Sequence, residues 1–210
     1  VCSSDLAQYN GGLQFAQSQG LLTAAEVTKR TIKFVTGKNA VVIVDSYLTN
    51  LSAYGIPSYR QATKADLLVL TSQTIIGTAV DGNPTLVNGA SVPLADKWVL
   101  TDSEVNEVKI ATDAYNNTIV EVAAKYDLAF IDTKKIMTQL STSGIRFGNY
   151  QMTAAYATGG AFSLDGVHPS ERGYALIANL FIDGINTKYG STLRQVDLAK
   201  YQIQYQKALP

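Results

Sequence analysis

Between Thr101 and Tyr126 the apolar residues Val105, Val108, Ala111, Tyr115, Ile119, Val122 and Tyr126 recur at steps of three and four. That spacing predicts one apolar stripe along a helix of about six to seven turns, because side chains three and four apart share a helix face. Thr101 offers an N-cap hydroxyl, and Glu104 completes a capping box. A stripe of this length needs an apolar surface to lie against. The chain offers short apolar runs on both sides of it: Ala40-Val41-Val42-Ile43-Val44, Leu67-Leu68-Val69-Leu70 and Leu128-Ala129-Phe130-Ile131. Their β-branched and aromatic content reads as buried strands. A last helix is expected from Pro169, a favoured first helical residue. Its face would be Tyr174, Ile177, Ala178, Phe181, Ile182 and Ile185, with Gly190 just past its end near Lys188. Strand, long helix, strand, helix, loop, long helix is an α/β order, which predicts a parallel sheet covered by helices on both faces.

The remaining segments are less patterned. Gln14 to Arg30 reads as one or two short helices, with Thr23 and Glu26 as a second capping box. Leu48 to Lys64 contains Gly55, Pro57 and many polar residues and reads as loop. Gly77 to Lys97 is a long connection with a hairpin expected around Asn88-Gly89. Thr133 to Leu140 reads as a short helix stopped by Gly144, and Ile145 to Phe162 fits neither pattern. Ser191 to Pro210 reads as a polar, loosely held tail.

Charge excludes some functions. Lys+Arg and Asp+Glu both number 17, so no global field draws in nucleic acid or an anionic membrane. No apolar run is long enough to cross a bilayer. Cys2 is the only cysteine, so neither an internal disulfide nor a cysteine metal site is expected. The opening residues Val1 to Leu6 look like the translation of a sequencing adaptor and are set aside as non-native. A chain then without cysteine suits an exported protein.

The stretch with chemical content is Gly159-Gly160-Ala161-Phe162-Ser163-Leu164-Asp165-Gly166-Val167-His168-Pro169-Ser170. His168 is the only histidine. Asp165 lies three residues before it, with Gly166 allowing a tight turn between them. A carboxylate at that spacing can fold back onto the imidazole, fix its tautomer and stabilise the imidazolium, leaving Nε2 to take a proton from a hydroxyl. The plain alternative is a capping histidine beside an Asx turn. One histidine among scattered carboxylates has no metal-ligand spacing, and no cofactor is implied.

The block Asp165-Gly166-Val167-His168-Pro169-Ser170, followed by Arg172-Gly173-Tyr174-Ala175, resembles the last conserved block of the SGNH, or Gly-Asp-Ser-Leu, hydrolases. Tyr9-Asn10-Gly11-Gly12-Leu13, Gly37 to Ile43, Arg60-Gln61-Ala62-Thr63, Ser91 to Leu100 and Gly159 to Leu164 extend the resemblance, toward a branch common in Bacteroidetes. It implies a partial flavodoxin-like three-layer α/β fold with a parallel sheet, its N-terminal strands missing. Residues 7–190 would be the C-terminal part of one domain, 14–97 an inserted lid or substrate wall, and 191–210 a tail. Trp98, Tyr47, Tyr54 and Tyr59 would line that wall or serve as ordinary core aromatics. The implied activity is ester hydrolysis by a Ser-His-Asp triad, with Asp165 and His168 as catalytic residues. The implied substrate is a small-molecule, lipid or acylated-carbohydrate ester, and the implied location is secreted or envelope-associated.

The departures from that pattern are substantial. The sequence contains no Gly-Asp-Ser-Leu-like block and no Gly-x-Ser-x-Gly elbow, so the nucleophile is expected upstream. Asn39 in Gly37-Lys38-Asn39-Ala40 is not read as an oxyanion donor, and Ser163 is read as structural. The chain alone is therefore expected to be inactive, and to expose a sheet edge and apolar surface. Two alternatives stand beside the hydrolase: a non-catalytic, carbohydrate-binding or structural module, and a glycosidase using carboxylates such as Asp45, Asp132 and Asp165.

Overall fold

The computed structural model describes residues 3–147 and 150–202. Cys2 and the last eight residues of the expected tail lie outside them. Contacts group the chain into two units, Val1–Ala114 and Tyr115–Pro210.

In the first unit, helices α1 (Ser3–Ser18) and α2 (Ala24–Arg30) form a hairpin. Thr23 caps α2, its hydroxyl accepting the Glu26 amide at 3.1 Å. Leu13 and Ala16 of α1 and Val27 of α2 bury against Leu22, Leu51 and Ile56. Strand β1 (Val42–Val44) pairs antiparallel with β2 (Tyr59–Gln61), Ile43 facing Arg60. Ile43 also makes one isolated parallel bridge to Leu94, and these two residues join Val99 in a second small core. Strands β3 (Leu67–Leu68), β4 (Ala79–Val80), β5 (Asn83–Val87) and β6 (Val99–Leu100) follow. β3 pairs with β6 and β4 with β5, both antiparallel. The hairpin turns at Asp81-Gly82, where both residues take positive φ, and not at Asn88-Gly89. Helix α3 (Asp102–Lys125) starts where the capping box places it, with the Thr101 amide and hydroxyl both donating to Glu104.

In the second unit, helix α4 (Thr133–Thr142) is capped by Asp132, which accepts the Lys135 amide at 2.9 Å. A hairpin of β7 (Ile145–Phe147) and β8 (Tyr150–Met152) precedes helix α5 (Glu171–Tyr189). The core here is Leu140, Met152, Ala161, Ala175, Leu176 and Leu198. The segment after α5 is held more firmly than its polar composition predicts: Asn179 exchanges two hydrogen bonds with the Val196 backbone. Arg172 Nε donates to the carbonyls of Leu198 and Tyr201.

The expected flavodoxin-like parallel sheet is not what forms. Every ladder among the described residues is two-stranded and antiparallel, and parallel pairing occurs only as isolated bridges. The physical reason lies in partners. The run at Val42 takes Tyr59–Gln61, read above as loop, and Leu67–Leu68 takes Val99–Leu100. Leu128 to Ile131 joins no ladder. A crossover unit needs both flanking strands in one sheet, but β6 before α3 pairs antiparallel with β3, and among the described residues no strand follows the helix to join it. The stripe on α3 accordingly stays uncovered: Val108, Tyr115, Ile119, Val122 and Tyr126 are exposed, and Ala123 is the helix's buried residue. On α5 the buried side is Arg172, Gly173, Ala175, Leu176 and Asn179, while Tyr174 and Phe181 of the expected face are exposed. No helix among the described residues is long and apolar enough to cross a membrane.

Candidate catalytic dyad

The loop that carries Asp165 and His168 is closed by the backbone. Phe162 and Pro169 form an antiparallel bridge, and the Ser163 amide donates to the His168 carbonyl at 2.8 Å. Gly166 takes a φ of 72°, which only glycine adopts without strain, and its amide returns to the Ser163 carbonyl at 3.1 Å. The loop sits directly before α5. The helix begins at Glu171 and not at Pro169, with Ser170 as its N-cap: the Ser170 Oγ accepts the Gly173 amide at 3.0 Å and donates to the Gly160 carbonyl at 2.7 Å. A Cβ at Gly173 would collide with the Ala161 carbonyl, and one at Gly159 with the Thr153 carbonyl. Two glycines therefore let the strand-like segment before the loop pass against backbone.

Within this loop the Asp165 carboxylate is saturated. Its Oδ1 accepts from Ser163 Oγ at 2.6 Å and from the Val167 and His168 amides at 2.9 Å each. Its Oδ2 lies 2.6 Å from His168 Nδ1. Donation from Ser163, then from the imidazole and the two amides, holds the Asp165 carboxyl well below the usual carboxylate range. The acid is thus ionised at neutral pH and orients the ring through Nδ1. Nε2 has no partner among the described residues. Both side chains are open to solvent, 70% exposed for His168 and 50% for Asp165. Ser163 donates to the acid, so its hydroxyl is a support for Asp165. The sequence pattern alone did not assign it that part, although a serine two residues before an aspartate is a known local hydrogen-bonding spacing.

The other residues singled out from sequence are engaged elsewhere. Asn39 spends its amide on Val35 and Gly37, closing its own turn, so it has no donor left for an oxyanion. Asp45 is fully buried and bound to Arg60 Nε at 2.5 Å, and Asp132 caps α4. Both carboxylates are engaged in these local bonds. Tyr47 is exposed and its hydroxyl is pushed up to about 12, chiefly by donating to the Glu107 carboxylate. Tyr54 and Tyr59 border a cavity in the first unit, and Trp98 packs beside Ile43, Leu94 and Val99 under Lys97.

Sequence reasoning missed a buried charge cluster. Arg60 contacts Asp45 by Nε and Asp66 by both terminal nitrogens, at 2.7 and 2.6 Å, and reaches Asp102 at 3.2 Å. Burial opposes the charge on Asp66, but Arg60 and the amides of Thr63 and Asp102 outweigh it and hold its carboxyl below the usual range. Among the described residues no cluster of three or more His, Cys, Asp or Glu side chains is placed to hold a metal. No family model, no curated protein and no solved structure matches the chain.

Proposed function

We propose that Asp165 and His168 are the orienting acid and the base of a serine-type ester hydrolase, with the nucleophilic hydroxyl supplied by polypeptide other than these residues. The single observation that supports this is the 2.6 Å approach of Asp165 Oδ2 to His168 Nδ1, with Oδ1 tied down by three donors. A structural Asx turn needs only the amide bonds. The contact to Nδ1 adds nothing to such a turn, yet it is what a general base requires. In the reaction, His168 Nε2 removes the proton from the attacking hydroxyl as oxygen bonds to the ester carbonyl. The imidazolium, facing ionised Asp165, then protonates the departing alcohol. Water repeats the cycle: it loses a proton to Nε2, displaces the acyl group as a carboxylic acid and restores the serine. The resemblance to Gly-Asp-Ser-Leu hydrolases supports the ester class, and with it an envelope or secreted location. The reading rests on the dyad, not on a parallel-sheet scaffold.

The test is hydrolysis of a short-chain nitrophenyl ester by a longer polypeptide holding these residues together with a serine-bearing segment. His168→Ala should lower kcat by about 10²–10⁴ with KM nearly unchanged, and a serine-directed phosphonate should label that segment. Full activity in His168→Ala would sink the proposal. The 210-residue chain alone should show no triad turnover.

A further inference from the structure

We infer that the first unit holds a binding site for an uncharged, hydrophobic small molecule, independent of any ester chemistry. A cavity of about 720 Å³ lies between α1, the turn around Tyr54 to Tyr59, and the segment from Thr85 to Pro93. That volume is within the range of small-molecule sites. Its wall is chiefly apolar, including Phe15, Leu21, Ile32, Val42, Ile56 and Leu86. Three wall hydroxyls are committed to the protein itself. Tyr9 Oη donates to the Tyr59 carbonyl at 2.6 Å, and Thr85 Oγ1 to Asn83 at 2.8 Å. Ser91 Oγ donates to the Thr85 carbonyl at 2.7 Å and accepts the Val87 amide at 2.6 Å. The wall holds no Lys, Arg or His. A carboxylate would meet no cation in this wall, and a sugar would face chiefly apolar side chains. What remains is a ligand bound by apolar contact.

Gly12 is the second, independent observation. It stands in the interior of α1, where glycine weakens a helix relative to nearly any other residue. Its missing side chain faces this cavity: a Cβ there would touch only Ile56, at 3.4 Å. The glycine costs helix stability and leaves the space open.

The experiment is a fluorescence titration of the chain with N-phenyl-1-naphthylamine, an uncharged probe that brightens in apolar sites. One probe should bind per chain and be displaced by 1-decanol, while decanoate and glucose at the same concentrations leave it bound. Gly12→Phe should weaken binding at least tenfold with an unchanged or higher melting temperature. Leu86→Asp changes an exposed wall position and should also weaken binding, which covers the case in which the first variant misfolds. Phe181→Ser, at an exposed position of α5 in the other unit, should leave it unaltered. Displacement by decanoate as effective as by decanol overturns the site, as does parent-like binding in both cavity variants. So does a dimer that dissociates in Leu86→Asp, which would make the cavity a contact between copies.

Discussion

The molecule uses aspartates in two opposite settings. Around Arg60 the carboxylates of Asp45 and Asp66 are buried, and every terminal nitrogen of the guanidinium is engaged. Around His168 the carboxylate of Asp165 makes four hydrogen bonds, but the pair stands in water. Burial decides what each arrangement is for. A charge removed from water is tolerable only when fully paired, so the Arg60 cluster locks β1, β2 and the start of α3 into one geometry. An exposed pair contributes little to stability, which leaves its arrangement compatible with the proposed proton transfer.

The contrast can be broken most forcefully at Arg60. Arg60→Met leaves Asp66 buried without its cation, and Asp45 with only Lys29 at 3.7 Å, and should cost about 3–5 kcal/mol by urea denaturation. A loss below about 1 kcal/mol would mean that the cluster is hydrated and not structural. Next in size is the acid dependence. The folded-state pKa of Asp66 lies below its unfolded value. Its contribution is therefore fully present above about pH 4 and is lost as pH falls toward the folded value. The urea midpoint should drop between pH 5 and pH 2, and Asp66→Asn should flatten that slope. Smaller again is Gly173→Ala, whose methyl group meets the Ala161 carbonyl. It should cost about 1–3 kcal/mol through forced displacement of α5 or the loop. An unchanged melt would show that the helix start yields freely. The smallest stability effect belongs to Asp165→Asn, an exposed site at which the urea midpoint should stay near that of the unaltered chain, although the same change should abolish the dyad's function.

Local chemistry was readable in the sequence and long-range pairing was not. The Thr23 cap, the Thr101–Glu104 box and the turn between Asp165 and His168 each depend on residues within a few positions of one another. Sheet partners do not. Val42–Val44 announces a strand, but nothing in it selects Tyr59–Gln61, a run with a charged residue at its centre. The burial of Arg60, Arg172 and Asn179 is not legible in the sequence, because only the fold shows what satisfies them. For the same reason the buried side of α5 falls where periodicity of apolar residues alone does not place it. Leu128 to Ile131 has the composition of a strand and no ladder, so composition marked a potential for pairing that the described residues do not use.

The central claim is that Asp165 sets the tautomer of His168, and the lone histidine makes it directly measurable. Nitrogen-15 shifts of the ring, recorded at a pH where it is neutral, should place the proton on Nδ1 and leave Nε2 bare. In Asp165→Asn the proton should redistribute toward Nε2. A ring already protonated at Nε2 in the unaltered chain, or one indifferent to Asp165→Asn, would contradict the account.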